Sequence, residues 1–120
     1  MLEKFNFPKG ILPEGVESYL LRKDGSFDVY LGKNCDLKVA GNYFLRYSRK
    51  VSGKVETGSL KSLSGVRVKI VFLWFGIGQV LRSGDELRFH VGPFSASFPV
   101  SSFDECPRCP SLFSSLVQSL

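Results

Sequence analysis

The sequence predicts an all-β domain, a small antiparallel β-barrel or sandwich of about eight strands. Short runs in which apolar and polar residues alternate recur between Val16 and Phe98, and a turn signal follows each run. Their spacing of about 8–12 residues is typical of sandwiches and barrels. No amphipathic helix interrupts the series, which argues against a parallel sheet built from strand–helix–strand units.

The first half of the chain contains five alternating runs separated by short turn signals. They cover residues 16–21, 27–31, 35–39, 43–47 and 51–57. Asp24-Gly25, between the first two runs, suits a hairpin turn whose backbone needs positive φ. Gly53, inside the fifth run, predicts a bulge or a close backbone approach. Residues 58–65 are expected to form a connection that carries Leu60 and Leu63 inward.

The most apolar stretch, residues 65–78, predicts the central strand of the fold. Apolar residues alternate with Arg67 and Lys69 as far as Ile70, and every residue from Val71 to Phe75 is apolar. We expect a strand that is half solvated at its start and covered on both faces at its end.

Two more strands and a C-terminal tail complete the prediction. Residues 86–91 and 94–98 alternate, and Gly92-Pro93 turns the chain between them. A single domain is predicted over residues 1–106. Residues 107–120 are predicted to form a tail whose leucine spacing allows a short helix.

Composition and charge bound the class of protein. Of the 120 residues, 43% are hydrophobic and the net charge is +5, so the chain is not intrinsically disordered and favours acidic partners in general. No stretch approaches the roughly 18 consecutive apolar residues of a membrane span. Residues 1–8 lack the apolar core of a secretory leader, so the chain as written is expected in the cytoplasm. A leader upstream would instead send it into the secretory pathway.

The residues offer no conventional catalytic or metal site. His90 is the sole histidine and alternates with Arg88 toward the expected solvent face, and the G-x-S-x-G signature of serine hydrolases is missing. Cys106 and Cys109 form an isolated C-x-x-C that only His90 could complete as a zinc site. In an oxidising compartment, the three cysteines also allow a disulfide from Cys35 to Cys106 or to Cys109, and three unreactive thiols are the alternative. We therefore expect a non-catalytic protein without metal or cofactor.

Nucleic acid is not an expected partner either. Aromatic and basic residues between Tyr43 and Lys50 superficially resemble an RNA-binding strand. Tyr43, Leu45 and Tyr47 alternate with their neighbours, however, and are more simply explained as a buried strand face.

Five phrases stand in order along the chain. They are FPKGILPEG (residues 7–15), GSFDVYL (25–31), VSG (51–53), GSLKSLSGVRVK (58–69) and FPVSSF (98–103). Together they resemble the plant family catalogued as domain of unknown function 538, over about residues 2–106. The resemblance implies a compact antiparallel β-barrel or sandwich, similar in fold to the lipid-binding modules of bactericidal/permeability-increasing proteins. It brings no catalytic residues.

The resemblance also implies a disulfide. Many members carry an export leader and a cysteine at each of the positions that match Cys35 and Cys106. We therefore predict that Cys35 pairs with Cys106, with Cys109 as the alternative partner. A bridge that closes a loop of about 70 residues would stabilise the fold by roughly 4 kcal/mol.

The function predicted from these features is non-catalytic binding of an apolar or amphipathic ligand, such as a lipid. The expected lining of its site is aromatic and consists of Phe72, Trp74, Phe89 and Phe98. Arg67 and Lys69 are expected to contact an anionic head group. The same aromatic residues would also suit a solid core, and the volume of any cavity separates the two possibilities.

Two other functions stay open. A cell-surface or interaction protein would use its basic residues to bind acidic polysaccharide or a protein partner. An esterase acting on lipid-like substrates is the remaining alternative, and it would have to use His90 as its base.

Overall fold

The structure, a computed structural model, describes residues 1–39 and 43–109. These residues form an antiparallel sheet of eight strands. The strands are β1 (Val16–Leu21), β2 (Ser26–Leu31), β3 (Cys35–Val39), β4 (Tyr43–Glu56), β5 (Ser59–Ile70), β6 (Leu73–Ser83), β7 (Glu86–Val91) and β8 (Phe94–Pro99). Short 3-10 helices flank the sheet at Leu2–Phe5, Lys9–Ile11 and Val100–Phe103. The predicted antiparallel all-β fold is confirmed.

Strand pairing follows the order β1-β2-β4-β5-β6-β7-β8, and β3 pairs with β4. β4 accommodates two partners on one side because it is long: residues 43–47 pair with β3, and residues 50–54 pair with β2. Within the described residues β1 and β8 do not pair with each other, so the sheet is not closed into a barrel. Of the two predicted forms, a closed barrel is therefore not the one observed.

β4 joins two strands that the sequence predicted separately, at 43–47 and 51–57. Its pairing with β5 changes register on both sides of Ser52. The bulge predicted at Gly53 is thus confirmed. A β-carbon at Gly53 would lie 2.9 Å from Leu63 Cδ2, so the two strands approach closely where the side chain is absent.

β5 includes residues 59–65 of the segment that was expected to form a connection at 58–65, so that prediction is wrong. The backbone has positive φ at Ser62 (52°) and Gly65 (93°), and such bulges let an irregular segment stay paired in a sheet. A β-carbon at Gly65 would collide with the Lys50 carbonyl oxygen, which explains why glycine suits this position. Leu60 is buried, as predicted, and Leu63 is partly buried against the core.

The predicted central strand is instead a hairpin. β5 ends at Ile70, Val71 and Phe72 form the turn, and β6 begins at Leu73. The first three residues of the stretch that was expected to be covered on both faces form the hairpin tip, where Val71, Phe72 and Leu73 are 78%, 85% and 64% exposed. The sequence hides this turn because Val71 has φ of 59°, a left-handed conformation that β-branched residues rarely adopt.

Inward-facing residues of the long strands form a hydrophobic core. Six of its aliphatic side chains are at most 2% exposed: Val29, Val51, Val55, Leu60, Val80 and Leu87.

Among the described residues, Asp28 is the one charged residue that is buried. Arg22 Nη2 donates a hydrogen bond to its Oδ2 at 2.6 Å, and Ser52 Oγ donates to its Oδ1 at 2.7 Å. These bonds favour the ionised carboxyl and lower the pKa of Asp28 below its ordinary value.

A disulfide joins Cys109 to the buried Cys35 of β3, with 5.4 Å between the Cα atoms, and Cys106 is a free thiol. The predicted Cys35–Cys106 pairing is therefore wrong, and the alternative partner Cys109 takes its place. After Cys106 the chain runs beside the N-terminal segment, where the Glu14 amide donates to the Pro107 carbonyl oxygen at 2.8 Å. This path carries Cys109, rather than Cys106, to β3.

The remaining expectations concern the ends of the chain. The domain boundary predicted at residue 106 stays a prediction. The helix allowed by the leucine spacing of the tail falls in residues 110–120, outside the described part of the chain. Within that part, no helix is long and apolar enough to cross a membrane.

Candidate ligand-binding cavity

The bent sheet surrounds a cavity of about 270 Å³. Its walls are mostly inward-facing residues of β4 to β8, closed by the N-terminal segment and by Phe103. Bending brings together strands that are not neighbours in the sheet: the rings of Tyr43 on β4 and Phe98 on β8 lie 5.3 Å apart. Packed interiors leave few voids larger than a water molecule, and an apolar cavity of roughly 150 Å³ already binds benzene. The interior is therefore large enough for a small ligand.

The lining carries no charged side chain within the described residues. Tyr47, which is buried in the wall, donates its hydroxyl hydrogen to the Ile11 carbonyl oxygen at 2.6 Å. Burial raises the pKa of the Tyr47 hydroxyl far above its ordinary value, so the group stays neutral. Because that hydroxyl is already satisfied, the wall offers a ligand mainly dispersion contacts.

Exposed lining residues mark the side of the cavity that opens to solvent. Tyr43 is 40% and Phe94 is 49% exposed, and Ser95 beside them is also exposed. The Phe94 ring lies edge-on to Phe75 of β6 with 5.6 Å between centroids. Alternation in residues 43–47 and 94–98 predicted that Tyr43 and Phe94 face inward. It could not show that these two faces meet, because β4 and β8 are distant in the chain.

The structure brings together two of the four aromatic residues that were predicted to line the site. Phe89 and Phe98 both border the cavity with 5.8 Å between their rings, and Phe89 also lies 5.6 Å from Phe103. Phe72 and Trp74 do not line it, since Phe72 is at the hairpin tip and Trp74 is on the outer face of β6. The reason is the turn between β5 and β6, which reverses the alternation that a single continuous strand would have had.

Arg67 and Lys69 also lie outside the cavity. Their neighbours Val66 and Val68 point inward and are buried, so the two cations occupy the opposite face of β5. Lys69 is directly opposite Trp74 in the β5–β6 pairing. Their predicted contact with the head group of a ligand stays a prediction, and it would have to be made outside the cavity.

The sole histidine lies on β7, directly opposite Ser95 of β8. His90 is partly exposed, and Ser95 borders the cavity opening. An esterase with a histidine base would have to use His90. Across residues 1–39 and 43–109, no group of three or more His, Cys, Asp or Glu side chains could hold a metal ion.

Comparison with known proteins places the chain in a family but assigns it no activity. No curated protein and no solved structure matches it. The predicted likeness to the lipid-binding modules of bactericidal/permeability-increasing proteins therefore stays a prediction, as does a plant origin. A family model described as "Protein of unknown function, DUF538" matches residues 1–104. The chain thus belongs to this family of proteins of unknown function, which its ordered phrases had indicated.

Proposed function

We propose that this protein binds one apolar or amphipathic molecule in its cavity without changing it chemically. The observation that carries the proposal is the cavity itself, about 270 Å³ in volume, uncharged in its lining and open on one side. Ligand pockets usually measure about 300 Å³ or more, so this one is near the lower end of the range. That size favours a molecule with one hydrocarbon chain, such as a fatty acid, over a lipid with two.

The energetics of such a ligand follow from the lining. Each methylene group that leaves water for an apolar site contributes about 0.8 kcal/mol. A polar head group would remain at the opening beside Tyr43 and Phe94, which are the exposed members of the wall. Affinity is therefore expected to rise with chain length until the cavity is full, and then to level off.

Ala96 and Ser97 offer a matched pair of variants for testing the proposal. Ala96 lines the cavity, whereas Ser97 is the next residue of β8 and is exposed. Ala96→Leu fills part of the void and is expected to weaken the binding of a fluorescent fatty acid about tenfold or more, while the thermal midpoint stays the same or rises. Ser97→Leu adds a similar side chain outside and should leave the affinity unchanged.

Displacement of the probe by fatty acids of increasing length gives the affinities, and native mass spectrometry of the purified protein shows any lipid that copurifies. Equal affinity in wild type and Ala96→Leu, or no saturable binding in either, would contradict the proposal. The alternatives give other signatures. An esterase would hydrolyse a fatty-acyl ester and lose that activity in His90→Gln, whereas a polysaccharide or protein partner bound at the surface would be insensitive to Ala96→Leu.

A further inference from the structure

A second apolar surface lies outside the cavity, at the hairpin tip formed by Val71, Phe72 and Leu73. These are the three most exposed large hydrophobic residues of the described chain, and they are consecutive. Val71 also has φ of 59°, where local preference favours asparagine or glycine over a branched apolar residue. Exposed apolar clusters on soluble domains mark interaction sites. The tip contributes little to the core, so its chemistry points to a contact outside the molecule.

Cations lie directly behind the tip, on the face of the sheet that points away from the cavity. We call this surface the basic outer face; it consists of Lys38, Arg46, Arg67 and Lys69. Lys69 precedes Val71 by two residues, which is about 7 Å at roughly 3.3 Å per strand residue. Arg46 and Arg67 are direct partners in the pairing of β4 with β5.

Little negative charge offsets these cations. Asp36 is opposite Arg46 in the β3–β4 pairing and forms an ion pair with it at 3.1 Å. Lys38, Arg67 and Lys69 have no ion-pair partner among residues 1–39 and 43–109. The basic outer face therefore attracts an anionic surface.

Two aromatic residues lie among the cations. Register places Lys38, Phe44, Lys69 and Trp74 in one row across β3, β4, β5 and β6. Lys38 Nζ is 5.8 Å from the centroid of the Phe44 ring, and the guanidinium carbon of Arg46 is 4.1 Å from that of Trp74. Tryptophan and basic residues behind an apolar tip suit a membrane interface, where rings lie at the level of the head groups and cations meet phosphates.

We infer that the β5–β6 hairpin docks this protein onto a bilayer that contains anionic lipids. Val71, Phe72 and Leu73 enter the interface, and the basic outer face contacts lipid phosphates. A protein partner fits less well, because a stable protein interface buries about 1,200 Å² or more and a three-residue tip is far smaller. A bilayer accepts a small convex apolar projection to a depth of about 5–10 Å. Docking does not depend on whether the cavity holds a ligand.

The main test replaces the tip without disturbing the hairpin. Val71→Gly with Phe72→Asn creates a Gly-Asn turn, which suits a two-residue hairpin whose first central residue has positive φ, as Val71 has and Phe72 has not, so the variant should fold at least as well as the wild type. Binding is measured by sedimentation with vesicles of phosphatidylcholine, with and without phosphatidylserine. We expect the wild type to bind the anionic vesicles and the variant to bind them at least about tenfold more weakly.

Three further readouts sharpen the test. Arg67→Gln and Lys69→Gln should each weaken binding to the anionic vesicles by roughly fivefold and reduce its dependence on salt. Trp74, the single tryptophan, should shift its emission to shorter wavelength when anionic vesicles are added. Leu20→Asn, at a residue of β1 that is 50% exposed, is the matched control and should bind vesicles like the wild type.

The inference is overturned if the wild type does not prefer anionic vesicles, or if the tip variant binds them as well as the wild type does. It is also overturned if the tip variant changes only the oligomeric state, since the tip would then contact a second copy of the chain. Failure here is distinguishable from failure of the cavity proposal. Ala96→Leu should still bind vesicles, and the tip variant should still bind the fluorescent fatty acid.

Discussion

The two ends of the β5–β6 hairpin are both apolar, yet they have opposite environments. At the base, Leu60 and Val80 face each other in register and are 2% and 1% exposed. At the tip, Val71, Phe72 and Leu73 are the most exposed large hydrophobic residues described. Hydrophobicity is therefore a poor guide to burial along this hairpin. Alternation is the better guide, because a strand with one buried face needs a period of two.

The difference matters for stability as well as for function. Side chains at the base leave water when the protein folds, and each contributes about 1.5–3 kcal/mol. Side chains at the tip stay in water, so they contribute almost nothing to folding. Residues that do not stabilise the fold can change without unfolding it, which makes the two ends separable by mutation.

The largest expected loss of stability comes from removing the disulfide. Its size shows whether the base of the hairpin is stabilised by packing alone. Cys109→Ser opens a loop whose ends are 74 residues apart in sequence. We expect urea unfolding under oxidising conditions to show a loss of about 4 kcal/mol. Cys106→Ser is the control and should change little, since Cys106 is a free thiol. Equal losses in the two variants would contradict the Cys35–Cys109 pairing.

A pair of truncations tests the comparison between base and tip directly. Leu60→Ala removes a buried side chain and should cost about 3 kcal/mol of unfolding free energy. Phe72→Ala removes a larger side chain from the tip and should change that free energy by less than about 0.5 kcal/mol. Urea unfolding of both variants measures the difference. If Phe72→Ala proved as costly as Leu60→Ala, the tip would have to be packed against the rest of the molecule.

The smallest expected effect is on the pH dependence of stability. It compares the buried charge of Asp28 with the exposed charges of the basic outer face. Hydrogen bonds from Arg22 and Ser52 hold the pKa of Asp28 below its ordinary value. A lowered carboxyl pKa gives stability that is present above the unfolded value, about 3.9. That stability is lost as the pH falls through the folded value.

Asp28→Asn removes this titration. Between about pH 5 and about pH 2 the wild type should therefore lose more stability than Asp28→Asn, as measured by urea midpoints at each pH. Lys69→Gln is the control for loss of a charge on the basic outer face, and its profile should follow that of the wild type. Parallel profiles for the wild type and Asp28→Asn would show that the Asp28 bonds are not maintained in solution.

Much of the fold was predictable because local patterns carry it. Alternation located β1, β3 and β7 and placed Phe89 and Phe98 on an inner face. The bulge at Gly53 followed from a glycine inside an alternating run. The site was only half predictable, because Phe72 and Trp74 were placed on the assumption that residues 65–78 form one strand. Val71 gives no turn signal, and this missed turn reverses the facing of the residues that follow it within β6.

By itself, the sequence determined the class of fold and the separation of Arg67 and Lys69 from their apolar neighbours, since these depend on a period of two within each strand. Only the tertiary structure decided what depends on contacts between distant segments. It placed Tyr43 beside Phe98, left about 270 Å³ of space inside the bent sheet, and gave Cys35 the partner Cys109 instead of Cys106. No local pattern encodes such contacts, because the bend of the sheet and the path of the chain ends set which inner faces meet.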